Sequence, residues 1–238
     1  MEVLIFDIFG DLGHFKKYYT TSSPLSFSFP PPPTVAGMLG AITGVDKDEY
    51  LDVFSPERCK IAIQIMEPIQ KLRAGLNLIN TKGNHWIPIK KANHGPRSPI
   101  KVEFIKEPCY RIYFCHEDEK LFCSMAEFIE SHKSFYTLSL GLSELLADFS
   151  YVDIMHFEKR QNEDIDIISV APLYLVDGIH INSSGDRKYF KEKMPIIMDR
   201  DRVVHRYEDV LFEIDGKSVR LRANRYWEGE NGECIMFF

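Results

Sequence analysis

From Val3 to Phe9 the chain is an almost unbroken apolar run of strand length, the pattern of a central strand buried on both faces. After Pro30-Pro31-Pro32-Pro33, Thr34 is placed to cap a helix. Val35, Met38, Leu39 and Ile42 then follow at helical spacing, with Gly44 as the stop. Ile61, Ile63 and Ile65 alternate with Ala62, Gln64 and Met66, and Tyr110, Ile112 and Phe114 alternate with Arg111, Tyr113 and Cys115. That period of two belongs to strands. Phe122, Met125, Phe128 and Ile129 return to helical spacing between Glu119 and Ser131, and Phe135 to Leu140 reads as a further strand. The order β-α-β-β-α-β predicts an α+β fold of the ferredoxin-like (RRM-like) type, a palm with helices on one face of an antiparallel sheet. One feature departs from a minimal version: about 40 residues separate the second and third strands, where a hairpin needs 2–5.

That insertion is where charge matters. The chain has a net charge of −6, which taken alone argues against a nucleic-acid partner. Between Pro68 and Lys106, however, the only acid is Glu103, against Lys71, Arg73, Lys82, Lys90, Lys91, Arg97, Lys101 and Lys106. The segment therefore carries about +7 and the rest about −13. With Pro68, Gly75, Gly83, Pro88, Gly95, Pro96 and Pro99 interspersed, and Trp86, Ile87 and Ile89 among the cations, we expect an extended, partly β arm over residues 68–107.

At 238 residues the chain is long enough for one large domain with an appendage. Beyond Ser150 it reads as β: Phe149 to Phe157, Ile167 to Val176, a hairpin of Val210–Ile214 and Ser218–Leu221 turning at Asp215-Gly216, and a second turn at Asn231-Gly232 before Cys234–Phe238. The charged link Glu158–Asp166 suggests a main domain over 1–157 and a small C-terminal β appendage over 158–238. The acidic N-terminus lacks the basic flank of a signal peptide, and no apolar stretch has the roughly 18 residues of a membrane span. Five dispersed cysteines do not form a disulfide framework. A cytoplasmic protein with reduced thiols, and no membrane partner, is expected.

Three stretches carry a family resemblance. They are His14-Phe15-Lys16-Lys17, then Thr20 through Thr34 with its Ser-Pro and four-proline runs, then Gly37-Met38-Leu39-Gly40-Ala41-Ile42-Thr43-Gly44. Strand, basic-aromatic segment, Ser/Pro-rich turn and Gly-rich helix in that order resemble the N-terminus of the fifth CRISPR-associated (Cas) protein family. Leu140-Gly141-Leu142-Ser143 looks like the family's short Leu-Gly-Arg-Ser-type turn, with Leu142 where Arg is common. The resemblance implies a palm and a thumb, the thumb being the long arm. It also implies binding of the 5′ handle of CRISPR RNA in a type I Cascade complex, with subtype I-B the nearest pattern. The implied partners are the backbone subunit, whose filament is capped, the large subunit, and target DNA indirectly through the complex. No cofactor and no metal are implied.

Elementary chemistry agrees with that role. Single-stranded RNA is held by cations tracking phosphates and by aromatic faces that accept bases, each stack contributing roughly 1–3 kcal/mol. The candidate RNA-binding residues are Lys16, Lys17, Tyr18, Tyr19, Gly37, Gly40, Arg73, Trp86, Lys90, Lys91, His94 and Arg97. Each has a plainer reading: a solvated loop for Lys16 and Lys17, helix packing for Gly37 and Gly40, and an anchor for Trp86.

The rival class is a metal-independent ribonuclease processing precursor CRISPR RNA, because one branch of the family cleaves with a Tyr and a Lys-His pair. This chain has no Lys-His dipeptide; it has His132-Lys133 in reversed order and free histidines at 85, 94 and 116, so no catalytic residue is named. Cys115 and His116 point to opposite faces of a strand and cannot form a dyad with each other. The cysteines lack zinc spacing, and there is no phosphate-loop or dinucleotide motif. A third class, an assembly protein bound to its sister subunits through apolar faces, would suit the Ile235-Met236-Phe237-Phe238 terminus.

Overall fold

The computed structural model describes residues 1–79, 97–180 and 187–238. Strand β1 (Glu2–Phe9) is buried on both faces as its composition predicts. Leu4, Phe6 and Ile8 enter the helix-side core, while Val3 and Ile5 enter a second core on the other side. After the short β2 (Leu12–Gly13), helix α1 runs Pro32–Thr43. It begins two residues before the expected Thr34 cap, because prolines fit the first turn, where the missing N–H has no partner to lose. It ends as predicted at Gly44, in the left-handed conformation (φ 78) with its N–H on the Gly40 carbonyl.

The one-turn α2 (Tyr50–Val53) leads to β3 (Cys59–Ile65), then to the arm strands β4 (Gln70–Ile79) and β5 (Arg97–Lys106), and back through β6 (Cys109–His116). Strands β4 and β5 pair from Gln70↔Lys106 to Ile79↔Arg97, an antiparallel ribbon about 30 Å long. Helix α3 (Glu119–Glu130) is capped by Asp118, whose carboxylate accepts from Lys120 N and Leu121 N. Strand β7 (Asp148–Arg160) then pairs with β1.

The strand expected over Phe135–Leu140 does not form. Phe135 N and Tyr136 N instead donate to the Ile42 and Ala41 carbonyls, acceptors that the end of α1 leaves without an intrahelical donor. Satisfying that helix end takes precedence over joining the sheet, and β7 takes the fourth position.

The C-terminal part comprises β8 (Glu163–Ile167), β9 (Ala171–Pro172), β10 (Val176–Ile179), β11 (Tyr189–Met198), β12 (Val204–Glu213), β13 (Val219–Ala223), β14 (Tyr226–Gly229) and β15 (Cys234–Ile235). The single strand expected over Ile167–Val176 is broken into β8, β9 and a 3-10 turn, with Pro172 unable to continue a ladder. The turn at Asp215-Gly216 exists, with Gly216 at φ 77, but it joins strands of two different sheets: β12 pairs with β11 and β9, β13 with β10 and β8. Buried Glu213 sets that corner, its carboxylate accepting from Lys188 N, Asp215 N and Lys217 N. The Asn231-Gly232 turn does close a hairpin, β14 with β15.

The main sheet is antiparallel, in the order β15-β14-β7-β1-β6-β3. Phe238 N donates to the Ile61 carbonyl on β3, and Val170 N to that of Ile63, so the chain beyond β15 reaches the opposite edge and the sheet curls towards closure. Residues 158–238 are β-rich, as expected, and they also complete the main domain: β14 and β15 widen its sheet, and Met194, Ile196, Val210 and Phe212 sit in its helix-side core. Among the described residues no helix is long and apolar enough to cross a membrane.

Candidate nucleic-acid interface

The segment His14–Phe29 folds back on itself beyond the end of β1. Lys16 bridges to Ser26, and Phe27 N donates to the Phe15 carbonyl. The turn at Leu140-Gly141 supports this segment from behind. His14 N donates to the Leu140 carbonyl, and Gly141, at φ 99, lies so close to the His14 carbonyl that a Cβ there would fall 1.9 Å from its oxygen. Only glycine fits. Leu142, where Arg is common in the resembling family, packs with Val102, Phe104 and Leu145 at the base of the arm.

At the tip of the folded segment Tyr18 and Tyr19 are exposed (50% and 59%). Their rings meet edge to face at 5.1 Å, and Tyr18 also lies 4.7 Å from the ring of Tyr207 on β12. Lys16 is exposed beside them. Lys17 is not a free cation: its Nζ lies 3.0 Å from Glu192 Oε1, and both side chains are nearly buried (13% and 12%). Burial alone would lower the Lys17 pKa, but the Glu192 charge and hydrogen bond, helped by Tyr19, hold it above its ordinary value. Glu192 also accepts from the Ser28 amide and hydroxyl. The pair ties the segment to β11.

The arm is tied down by Glu103, the one acid between Pro68 and Lys106. Glu103 is buried, its carboxylate 3.3 Å from Lys71 Nζ and from Arg73 Nη2, and it accepts from Ser26 N. Burial would raise its pKa; the Lys71 charge and hydrogen bond, the Ser26 amide and Arg73 together bring it below the ordinary carboxylate value. The Glu103 backbone N–H donates to the Pro24 carbonyl, and its carbonyl oxygen lies 2.7 Å from buried His14 Nδ1. Arm and aromatic tip thus share one foundation. Arg73 remains largely exposed (69%) despite the contact. Trp86, Lys90, Lys91 and His94 lie outside the described residues; Arg97 opens β5 opposite Ile79, and its side chain lies outside them too.

Gly37 and Gly40 make room for a side chain. A Cβ at Gly40 would stand 3.0 Å from Tyr50 Cβ, and one at Gly37 would stand 3.5 Å from the Tyr50 ring. Arg202, in the β11–β12 turn at φ 61, donates to the Tyr50 hydroxyl and lies 5.8 Å from its ring centroid. Beside this stack runs a groove of about 330 Å³, lined by Thr34, Gly37, Thr137, Ser139, Gly141 and Arg202 among others. The groove joins α1 to the turn that supports His14. Sequence reasoning missed Tyr207, Arg202 and Glu192, which come from strands and a turn without a recognisable motif.

The buried histidines hold structure. His116 Nδ1 accepts from Asp118 N, and its Nε2 lies 3.0 Å from the Val53 carbonyl, which fixes a neutral ring with the proton on Nε2. His132 is exposed, 3.2 Å from Asp148 and stacked on Phe149.

The curled antiparallel sheet defines a fold class that other solved proteins share. A CRISPR protein from Archaeoglobus fulgidus superimposes with a TM-score of 0.58 at 15% identity, over 99% of this chain and 98% of that one. A chain described as belonging to a CRISPR RNA-guided surveillance complex gives 0.53 at 11% identity, over 92% and 91%. No functionally curated protein matches by sequence. The sequence profile of the CRISPR-associated protein (Cas_Cas5) family matches residues 3–210, and the chain belongs to that family.

Proposed function

We propose that this protein is a non-catalytic subunit of a type I Cascade surveillance complex that holds the 5′ handle of the guide CRISPR RNA and caps the backbone filament. The observation that carries this reading is the pair of exposed rings Tyr18 and Tyr19, with half-buried Tyr207 packed against Tyr18, beside Lys16 and continuous through a shared foundation with a cationic arm. Stacking faces next to unneutralised cations are what splayed, single-stranded RNA requires. The order β7-β1-β6-β3, with α1 and α3 as the crossovers, supports a ferredoxin-like palm, and the β4–β5 ribbon is its thumb. The neighbour of similar fold from a CRISPR RNA-guided surveillance complex supports the setting, in which the backbone and large subunits are the protein partners and target DNA is met through the complex. The absence of cleavage belongs to the proposal; it is supported by the engagement of His14 and His116 in backbone hydrogen bonds.

The test is titration of labelled handle RNA at several salt concentrations. Lys16→Glu combined with Lys90→Glu and Lys91→Glu should weaken binding at least about tenfold in low salt and flatten the salt dependence by about three phosphate contacts. Unchanged affinity and slope would refute the interface. Precursor RNA incubated with the protein, with and without chelator, should remain intact.

A further inference from the structure

At the end of β1 remote from the arm, about 23 Å along that strand, the curled sheet opens into a second cavity, of about 460 Å³. Its floor is aromatic: Phe157, Trp227 and Phe237 are buried, and the last two meet edge to face at 5.0 Å. Its rim is cationic, with Lys60 from β3, Lys159 from β7 and Arg225 just ahead of β14, and no acidic side chain lines it. Trp227 lies directly opposite Lys159 in the β14–β7 ladder, and Arg225, in the bend before β14, lines the same cavity. The Arg225 guanidinium stands 5.7 Å from the Trp227 ring centroid. Its Nε is the one buried side-chain polar atom without a hydrogen-bond partner among the described residues.

A buried guanidinium N–H left unpaired is costly and calls for an explanation. An aromatic floor under three cations asks for a ligand with an anionic head and a flat body. A phosphate suits the forked Arg donor and can satisfy more than one rim cation, and a nucleobase suits the aromatic floor. The volume lies within the roughly 300–1,000 Å³ usual for ligand sites, and the mouth of a curled sheet is a common place for one. We propose that this cavity binds a phosphate-bearing nucleotide, free or at the end of a strand. The site is separate from the interface proposed above and does not depend on it.

Trp86→Phe leaves Trp227 as the only indole, so its fluorescence reports on the cavity. In that background AMP should give a saturable change, with adenosine and inorganic phosphate each binding about tenfold or more weakly. Lys60→Gln with Lys159→Gln changes only rim side chains; it should weaken AMP at least about tenfold while leaving the circular dichroism spectrum and handle-RNA affinity as they were. Tighter binding of a 5′-phosphorylated short strand than of AMP would identify a strand end as the occupant, and the reverse would identify a free nucleotide. No saturable response to either, inorganic phosphate or an acidic peptide binding as tightly as AMP, or an unaffected double variant would overturn the proposal.

Discussion

Two adjacent lysines, indistinguishable in the sequence, should respond to the same substitution in opposite ways. Lys17→Met keeps an unbranched apolar side chain and deletes the ammonium, which faces Glu192 and stands 5.5 Å from the Phe27 ring centroid. Breaking a buried pair by removing one partner costs about 3–5 kcal/mol. Here the Ser28 amide and hydroxyl, 3.2 and 3.1 Å from Glu192, continue to solvate the carboxylate, so a loss of about 2–3 kcal/mol is expected. For a chain of this size that lowers Tm by about 4–12 °C. Adding Glu192→Gln should recover part of the loss, since neither charge is then stranded. Lys16→Met should leave Tm in place but remove about one phosphate contact from the salt dependence of handle-RNA binding. Thermal unfolding by circular dichroism and titrations at about 50 and 200 mM salt read both. A Lys17→Met protein that melts like the parent and loses one unit of salt slope would refute the argument. Because the Lys17 pKa is raised, the pair's contribution is complete below its ordinary value of 10.5 and fades as pH climbs through the higher folded value.

Two other perturbations probe the foundation of the site. Gly141→Ala meets the His14 carbonyl, whereas Gly232→Ala, at φ 81, meets nothing within 4 Å; Gly232→Ala should cost about 1 kcal/mol for backbone conformation alone and Gly141→Ala about 3 kcal/mol or more, compared by denaturant titration. Glu103, whose pKa is lowered, stabilises the arm above its ordinary value of 4.5 and loses that contribution as pH falls through the lower folded value. Protease protection of residues 70–106 should therefore drop below about pH 4 in the parent and be lower and flatter with pH in Glu103→Gln, a difference of about 1–2 kcal/mol after allowing for the exposure of Arg73.

What could be read from the sequence was local. Strand β1, the body of α1, and β3, β6 and α3 follow from periodicities carried within a dozen residues, and Gly44 ends α1 as its type predicts. What failed depended on distant partners. Phe135–Leu140 has the composition of a strand, yet its first N–H groups serve α1 carbonyls more than ninety residues earlier. The strands either side of Gly216 look like a hairpin, but the carboxylate of Glu213 turns the chain into another sheet. The site divides in the same way. Tyr18, Tyr19 and Lys16 announce themselves as exposed aromatics beside a cation, whereas the neutralisation of Lys17 rests on Glu192, 175 positions away, and the role of Gly40 rests on Tyr50. Charge counted along a chain cannot separate a paired lysine from a free one.

The most direct measurement is photo-crosslinking within the assembled complex, with a photoreactive residue placed at Tyr18, at Tyr19 and, as a control, at Tyr151 on β7, and the crosslinked nucleotide identified for each. Positions 18 and 19 should join to the 5′ handle of the guide, and position 151 should not. Crosslinks from 18 and 19 only to protein, or to guide nucleotides far from the 5′ end, would contradict the proposed interface.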